Sequence, residues 1–180
     1  MMGYNKLLFF GGFMKKLILI GGPMGVGKTA VSKKLCKTLD HCVFLDGDWC
    51  WDMHPFIVDE ETKKMVMNNI VYQLNQFLLC SSIHYVVFCW VMHEQSLIEE
   101  IINRIESDCE VYSFSLVCTK EELTKRIQKD IDLGIRQQDV LNRSIERLEM
   151  YQHLQTIKVD TSMLSIDEVV CSIKETIISI

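Results

Sequence analysis

Short runs of unbroken apolar residues alternate along this chain with longer stretches whose apolar positions recur every three or four residues. Leu17-Ile18-Leu19-Ile20 is apolar throughout, as a strand buried on both faces requires, and Gly21-Gly22 stops it. From Lys28 to Leu39 the period becomes helical, with Ala30, Val31, Leu35 and Leu39 on one face. A second strand, Cys42 to Leu45, runs into Asp46-Gly47-Asp48. The stretch from Glu60 to Cys80 predicts a long helix, since Met67, Ile70, Val71, Leu74 and Leu78 share one stripe. Further strands are predicted over 85–91, 111–117 and 156–160, and helices over 97–105, 139–154 and 165–178. One more helix starts at Thr119, which stands three residues before Glu122 in capping-box spacing, and ends at Gly134.

Strands that are almost continuously apolar, each followed by a helix, imply a parallel sheet covered on both faces. The predicted fold is therefore α/β: a three-layer sandwich around a five-stranded parallel sheet. The 180 residues suffice for one such domain. Residues 14–180 are read as that domain and residues 1–13 as an N-terminal extension, because Met14-Lys15-Lys16 leads directly into the first strand.

Composition narrows the function classes. A chain that is 48% hydrophobic with two prolines is not a disordered one. A net charge of -5 without any basic run offers nucleic acid no general attraction, and no apolar run is long enough to span a bilayer. The eight cysteines form no C-x-x-C pair, so neither zinc-ribbon nor redox spacing is present. Most of them lie inside apolar runs as small hydrophobes, which predicts a reduced, cytoplasmic protein.

The chemistry begins between the first strand and the first helix. Gly22-Pro23-Met24-Gly25-Val26-Gly27-Lys28-Thr29 satisfies G-x-x-x-x-G-K-[ST] at every position. Glycines let backbone N–H groups turn inward on phosphate oxygens, and the helix that starts near Lys28 adds its positive end. Lys28 can reach β- and γ-phosphates, while the Thr29 hydroxyl can ligate Mg²⁺. A strand before and a helix after supply the context this motif needs.

Asp46-Gly47-Asp48 falls at the carboxyl end of the second strand, the edge where open α/β sheets bind ligands. There one carboxylate can orient water on Mg²⁺ and the other can take a proton from a hydroxyl; Asp-Gly is also ordinary turn chemistry. Trp49, Trp51, His54 and Phe56 follow, and either wall an acceptor pocket or pack into the core. His93 stands just past the third strand, in Val91-Met92-His93-Glu94, where no Walker-B aspartate occurs.

The phosphate loop together with Phe44-Leu45-Asp46-Gly47-Asp48 resembles the small P-loop kinases: shikimate, gluconate and adenylate kinase relatives, and drug phosphotransferases. The resemblance implies a nucleotide-kinase-like P-loop NTPase that uses ATP and Mg²⁺. It assigns Gly22, Met24, Gly25, Val26, Gly27, Lys28, Thr29 and Ala30 to the nucleotide, and Thr29 with Asp46 to the metal. Asp48 becomes the base on the acceptor hydroxyl, beside Trp49, Trp51 and His93.

Farther on, Arg136, Asp139, Arg147, Leu148 and Tyr151 are similar to the adenylate-kinase pattern R-x-D-D-x-x-E-x-x-x-x-R-L-x-x-Y, with Gln138 and Asn142 departing from it. In that family the two arginines close over the transferring phosphate, a role this implies for Arg136 and Arg147; a solvated charged helix face is the other reading of Arg143 and Arg147. Glu122 to Ile127 is like the helix entering the family's lid, which implies that Arg126 packs on adenine. The family's next lid arginine is Asp130 here, and the lid itself would span only about Asp130 to Ile135. The arrangement of Trp90-Val91-Met92-His93 and the region through Arg147 most resembles the tunicamycin-resistance type of P-loop protein.

The expected function is ATP-dependent transfer of the γ-phosphate to a hydroxyl of a small, non-phosphorylated molecule such as a nucleoside, a sugar or an antibiotic. A nucleoside monophosphate kinase and a nucleotide-binding protein without turnover are the alternatives.

Overall fold

A computed structural model describes residues 14–178; the extension expected over residues 1–13 lies outside the described residues. The chain runs β1 Lys16–Gly21, α1 Lys28–Thr38, β2 Cys42–Asp46, a 3₁₀ turn Gly47–Trp51, α2 Glu60–Leu79, β3 Tyr85–Cys89 and α3 Gln95–Asn103. It continues β4 Glu110–Val117, α4 Lys120–Asp132, α5 Asp139–Met150, a 3₁₀ turn Tyr151–His153, β5 Ile157–Asp160 and α6 Ile166–Ile178.

The strands form one five-stranded sheet, order β2-β3-β1-β4-β5, with every neighbouring pair parallel. The three-layer α/β sandwich read from the sequence is thus the fold. Side chains alternate across each strand, and both faces are covered. Ile18, Ile20, Val87 and Cys89 join the core beneath α1 and α6, together with Leu35 and Ile173. Leu17, Leu19, Val86 and Phe88 join the opposite core, against Ile70 and Leu74 of α2 and Ile101 of α3. Leu17 through Ile20 are fully buried for that reason, each aliphatic contributing about 2 kcal/mol of burial.

Several boundaries differ from the sequence reading: the helix read over 97–105 runs Gln95–Asn103, and most strand ends shift by one residue. β3 stops at Cys89 rather than Val91: β2 ends opposite it at Asp46, and the last bond to β1 is the Trp90 N–H donating to the Ile20 carbonyl at 3.3 Å. The helix predicted over 139–154 ends at Met150, and its last turn tightens to 3₁₀ as Tyr151 plunges into the core, fully buried. The Asp46-Gly47-Asp48 turn is 3₁₀ and extends over Gly47–Trp51, and Asp46 caps it by accepting from the Asp48 backbone N–H at 3.2 Å.

In this strand order β1 has β3 on one side and β4 on the other, so the sequence of connections reverses at its carboxyl end. That switch point is where an open α/β sheet leaves a crevice for a ligand. The loop after β1 and the turn after β2 both open into it.

Candidate active site

Gly22, Gly25 and Gly27 take positive φ (151°, 83° and 107°), the hand that turns successive amides inward, and Gly27 caps the start of α1. The loop's outer rim is a cleft of about 280 Å³ lined by Met24, Gly25, Gly27, Lys28, Thr29 and Ala30, facing Asp46, Asp48, Val91, Asp130 and Arg136. Gly22 and Val26 lie beneath it. A side chain at Gly22 would meet the Leu116 carbonyl at 2.7 Å, and Val26 is a core residue that offers the site its backbone alone.

The half-buried Lys28 donates to the Pro23 carbonyl at 3.0 Å. Burial pushes its ammonium down to about 8, with Arg136 adding to the fall while Cys89, Asp48 and Asp46 oppose it. The Thr29 hydroxyl donates to Asp46 Oδ2 at 2.8 Å, so the two residues assigned to a metal from sequence already share one spot. Asp46 is buried, and its register partner on β3 is Cys89. The Cys89 thiol is pushed up to about 12 by burial and by Asp46, which keeps it neutral beside Lys28.

Asp48 lies at the exposed mouth of the cleft. Its carboxyl is raised above the ordinary aspartate range by desolvation and then by Asp46, against the pull of Lys28, a hydrogen bond from Trp90, and Arg136. Trp90 is a site residue that sequence reasoning missed. Its indole packs where Gly47 has no side chain; a Cβ there would come within 2.5 Å of the ring. The signal lay in the register, because pairing Asp46 with Cys89 sets residue 90 beside residue 47.

The remaining expected residues fall outside the cleft's lining. Trp51 adjoins Trp90 (ring centroids 6.4 Å) and Phe56 (5.7 Å), an aromatic group that reaches Asp48 through Trp90. Trp49 turns the other way, edge-on to Phe44 and under the Lys33 ammonium, because the 3₁₀ turn sets neighbouring side chains on different faces. His93 is half-buried and within electrostatic reach of Arg147, and burial followed by that cation lowers its pKa.

Arg126 is fastened to four acceptors: Glu122 Oε1 at 2.9 Å, the Val26 carbonyl at 3.2 Å, Thr161 Oγ1 at 3.0 Å and the Thr161 carbonyl at 2.7 Å. With its edges occupied, the flat face of the guanidinium is what it can offer a ring. Arg136 is tied to Asp130 at 2.8 Å, and the exposed pair of Arg143 with Asp139 at 2.6 Å is the ordinary surface pair of a solvated helix face. Among the described residues Arg147 is in no ion pair, whereas the other four arginines each are.

Proteins of known structure share this fold. The tunicamycin resistance protein of Deinococcus radiodurans superposes with a TM-score of 0.68 at 18% identity, over 91% of this chain and 95% of that one. A gluconokinase from Sinorhizobium meliloti 1021 gives 0.64 at 17% identity, over 89% of each chain. The shikimate kinase of Acinetobacter baumannii, in complex with shikimate, gives 0.62 at 18% identity, over 92% and 94%. No curated protein matches the sequence. A family model described as an AAA domain matches residues 18–149, from β1 through the phosphate loop into the last turn of α5, and the chain belongs to that family of P-loop proteins.

Proposed function

We propose that the protein is an ATP-dependent phosphotransferase that moves the γ-phosphate to a hydroxyl of a small molecule. The observation that carries this reading is the convergence, in one 280 Å³ cleft, of Lys28, Thr29, Asp46, Asp48 and Arg136 at the carboxyl edge of the sheet. In the transfer, Asp48 takes the hydroxyl proton as the acceptor oxygen bonds to the γ-phosphorus; the bond to the β–γ bridging oxygen breaks, and ADP leaves with its electron pair. Lys28 and Arg136 neutralise the charge that spreads over the phosphoryl oxygens, and the amides of the loop after β1 hold the rest of the chain of phosphates.

The Thr29–Asp46 contact fits a hard divalent cation, for it brings a hydroxyl and a buried carboxylate to one point beside the phosphates. When bound, Mg²⁺ would supply charge neutralisation on the β- and γ-oxygens. The structural neighbours that are called gluconokinase and shikimate kinase support a small-molecule acceptor.

The test is ADP release that depends on an acceptor hydroxyl. Lys28→Met should lower the rate by roughly a hundredfold to a thousandfold or more while the thermal melting curve stays that of a folded protein. Undiminished turnover in that variant would overturn the proposal.

A further inference from the structure

Asp130 stands where the resemblance leads one to expect a cation, and its surroundings give it a task. It lies in the last turn of α4, the end of a helix at which a carboxylate is disfavoured by the backbone dipole, so helix stability does not account for it. Just beyond, the chain closes in a Schellman turn: the Gly134 N–H donates to the Ile131 carbonyl at 2.9 Å and the Ile135 N–H to the Asp130 carbonyl at 2.8 Å, with Gly134 at φ 70°. The turn delivers the next residue, Arg136, back over the end of α4. There its Nε donates to Asp130 Oδ2 at 2.8 Å, and both side chains are about one-third exposed (31% and 30%). Both also line the cleft that holds Lys28, Asp46 and Asp48.

A guanidinium has five donors in a fixed plane. Asp130 engages the Nε–H, which sets that plane and leaves the four N–H groups of the two terminal nitrogens for another anion. An arginine held this way loses little freedom when a phosphoryl group arrives. We infer that Asp130 is a positioning residue, which orients Arg136 so that its terminal nitrogens meet the γ-phosphate. The inference rests on the reading of the cleft as the seat of phosphoryl transfer.

The test compares affinities of the full chain for AMP-PNP and for ADP, each with Mg²⁺, by titration calorimetry; the ratio isolates the γ-phosphate. Arg136→Ala should reduce the ratio, and Asp130→Ala should reduce it about tenfold. Asp130→Asn keeps an acceptor oxygen for Nε without the charge, and should recover at least half of that loss on a logarithmic scale. In the Arg136→Ala background, Asp130→Ala should change the ratio no further, since it acts through the missing guanidinium. Asp130→Ser serves in the same comparison should Asp130→Ala not fold.

If Asp130→Ala instead tightens both nucleotides equally, the carboxylate merely repels phosphate and the inference is wrong. An equal loss of the ratio in the Arg136→Ala background is just as damaging. Wild-type protein that discriminates the γ-phosphate but forms no ADP with any acceptor overturns the phosphotransferase reading alone. Absence of nucleotide binding overturns both.

Discussion

Lys28 and Asp48 are displaced toward each other in proton affinity, one cation made more acidic and one carboxylate made more basic. The cause is shared: both are taken partly out of water, and the charged form of each is what suffers. The proposed transfer needs Lys28 protonated and Asp48 ionised. On the acid side, kcat/KM should therefore fall as pH drops through a pKa above the ordinary aspartate range. On the alkaline side it should fall as pH rises through about 8, the free-enzyme value of Lys28. Bound triphosphate stabilises the ammonium, so the alkaline limb of kcat should lie higher than that of kcat/KM. A pH–rate profile of wild type against Asp48→Asn checks the assignment: the acid limb should vanish in the variant. Persistence of that limb would place the base elsewhere. The residues that tune this pair were the least legible in the sequence. Cys89 and Trp90, consecutive residues at the end of β3, meet the site only after the sheet is assembled, whereas the phosphate loop is contiguous and each of its residues has its own mechanical reason.

Among the elements, the strands and helices follow so directly from the apolar pattern because each is buried on the faces that the pattern marks. β1 shows this most simply, with four consecutive apolar residues and alternate side chains in opposite cores. Where backbone hydrogen bonding rather than burial decides, the pattern is silent: Gly47–Trp51 is a 3₁₀ turn whose N-cap is Asp46. The turn between α4 and α5 is legible through one residue, since Gly134 marks the end of the helix in the sequence as it does in the structure. Its αL residue, Gly134, has nothing within 4 Å of where a Cβ would be, so a substitution there meets conformational cost alone. Gly134→Ala should lower stability by about 1 kcal/mol in urea unfolding, as a shift in midpoint at unchanged slope. A shift near zero would mean that the turn is remade without the left-handed residue. Because the same turn carries Arg136, the substitution is also expected to weaken γ-phosphate recognition.

Over the whole molecule, the distribution of arginine limits what the acceptor can be. The chain has five arginines, and none lies in β2, α2 or β3, the elements that the proposed reaction gives to the acceptor. Arg104, the first, sits at the opposite edge: α3 starts past the carboxyl end of β3 and carries the chain back, and Arg104 at its far end is held by Glu100 at 3.1 Å and Asn68 at 2.7 Å. Lys63 and Lys64 are the only Lys or Arg residues between Asp46 and Cys80; both are exposed, and Lys63 is paired with Glu60 at 2.8 Å. Against them stand Asp46, Asp48, Asp52, Asp59, Glu60 and Glu61, a field that repels a dianion. Arg136 lines the cleft, and Arg147, in no ion pair among the described residues, lies in the last turn of α5 within electrostatic reach of His93; the resemblance to adenylate kinases would commit both to the transferring phosphoryl group. A second phosphate, on the acceptor, would have no guanidinium fork left to hold it. Nucleosides and sugars should therefore be phosphorylated at least tenfold more efficiently, by kcat/KM, than their own monophosphates. Matched pairs of each, scored by ADP formation, decide the matter. Should the monophosphates turn over faster, the acceptor phosphate must be held by groups other than arginine, and the acidic wall around Asp48 must be neutralised by the substrate's own counter-ion.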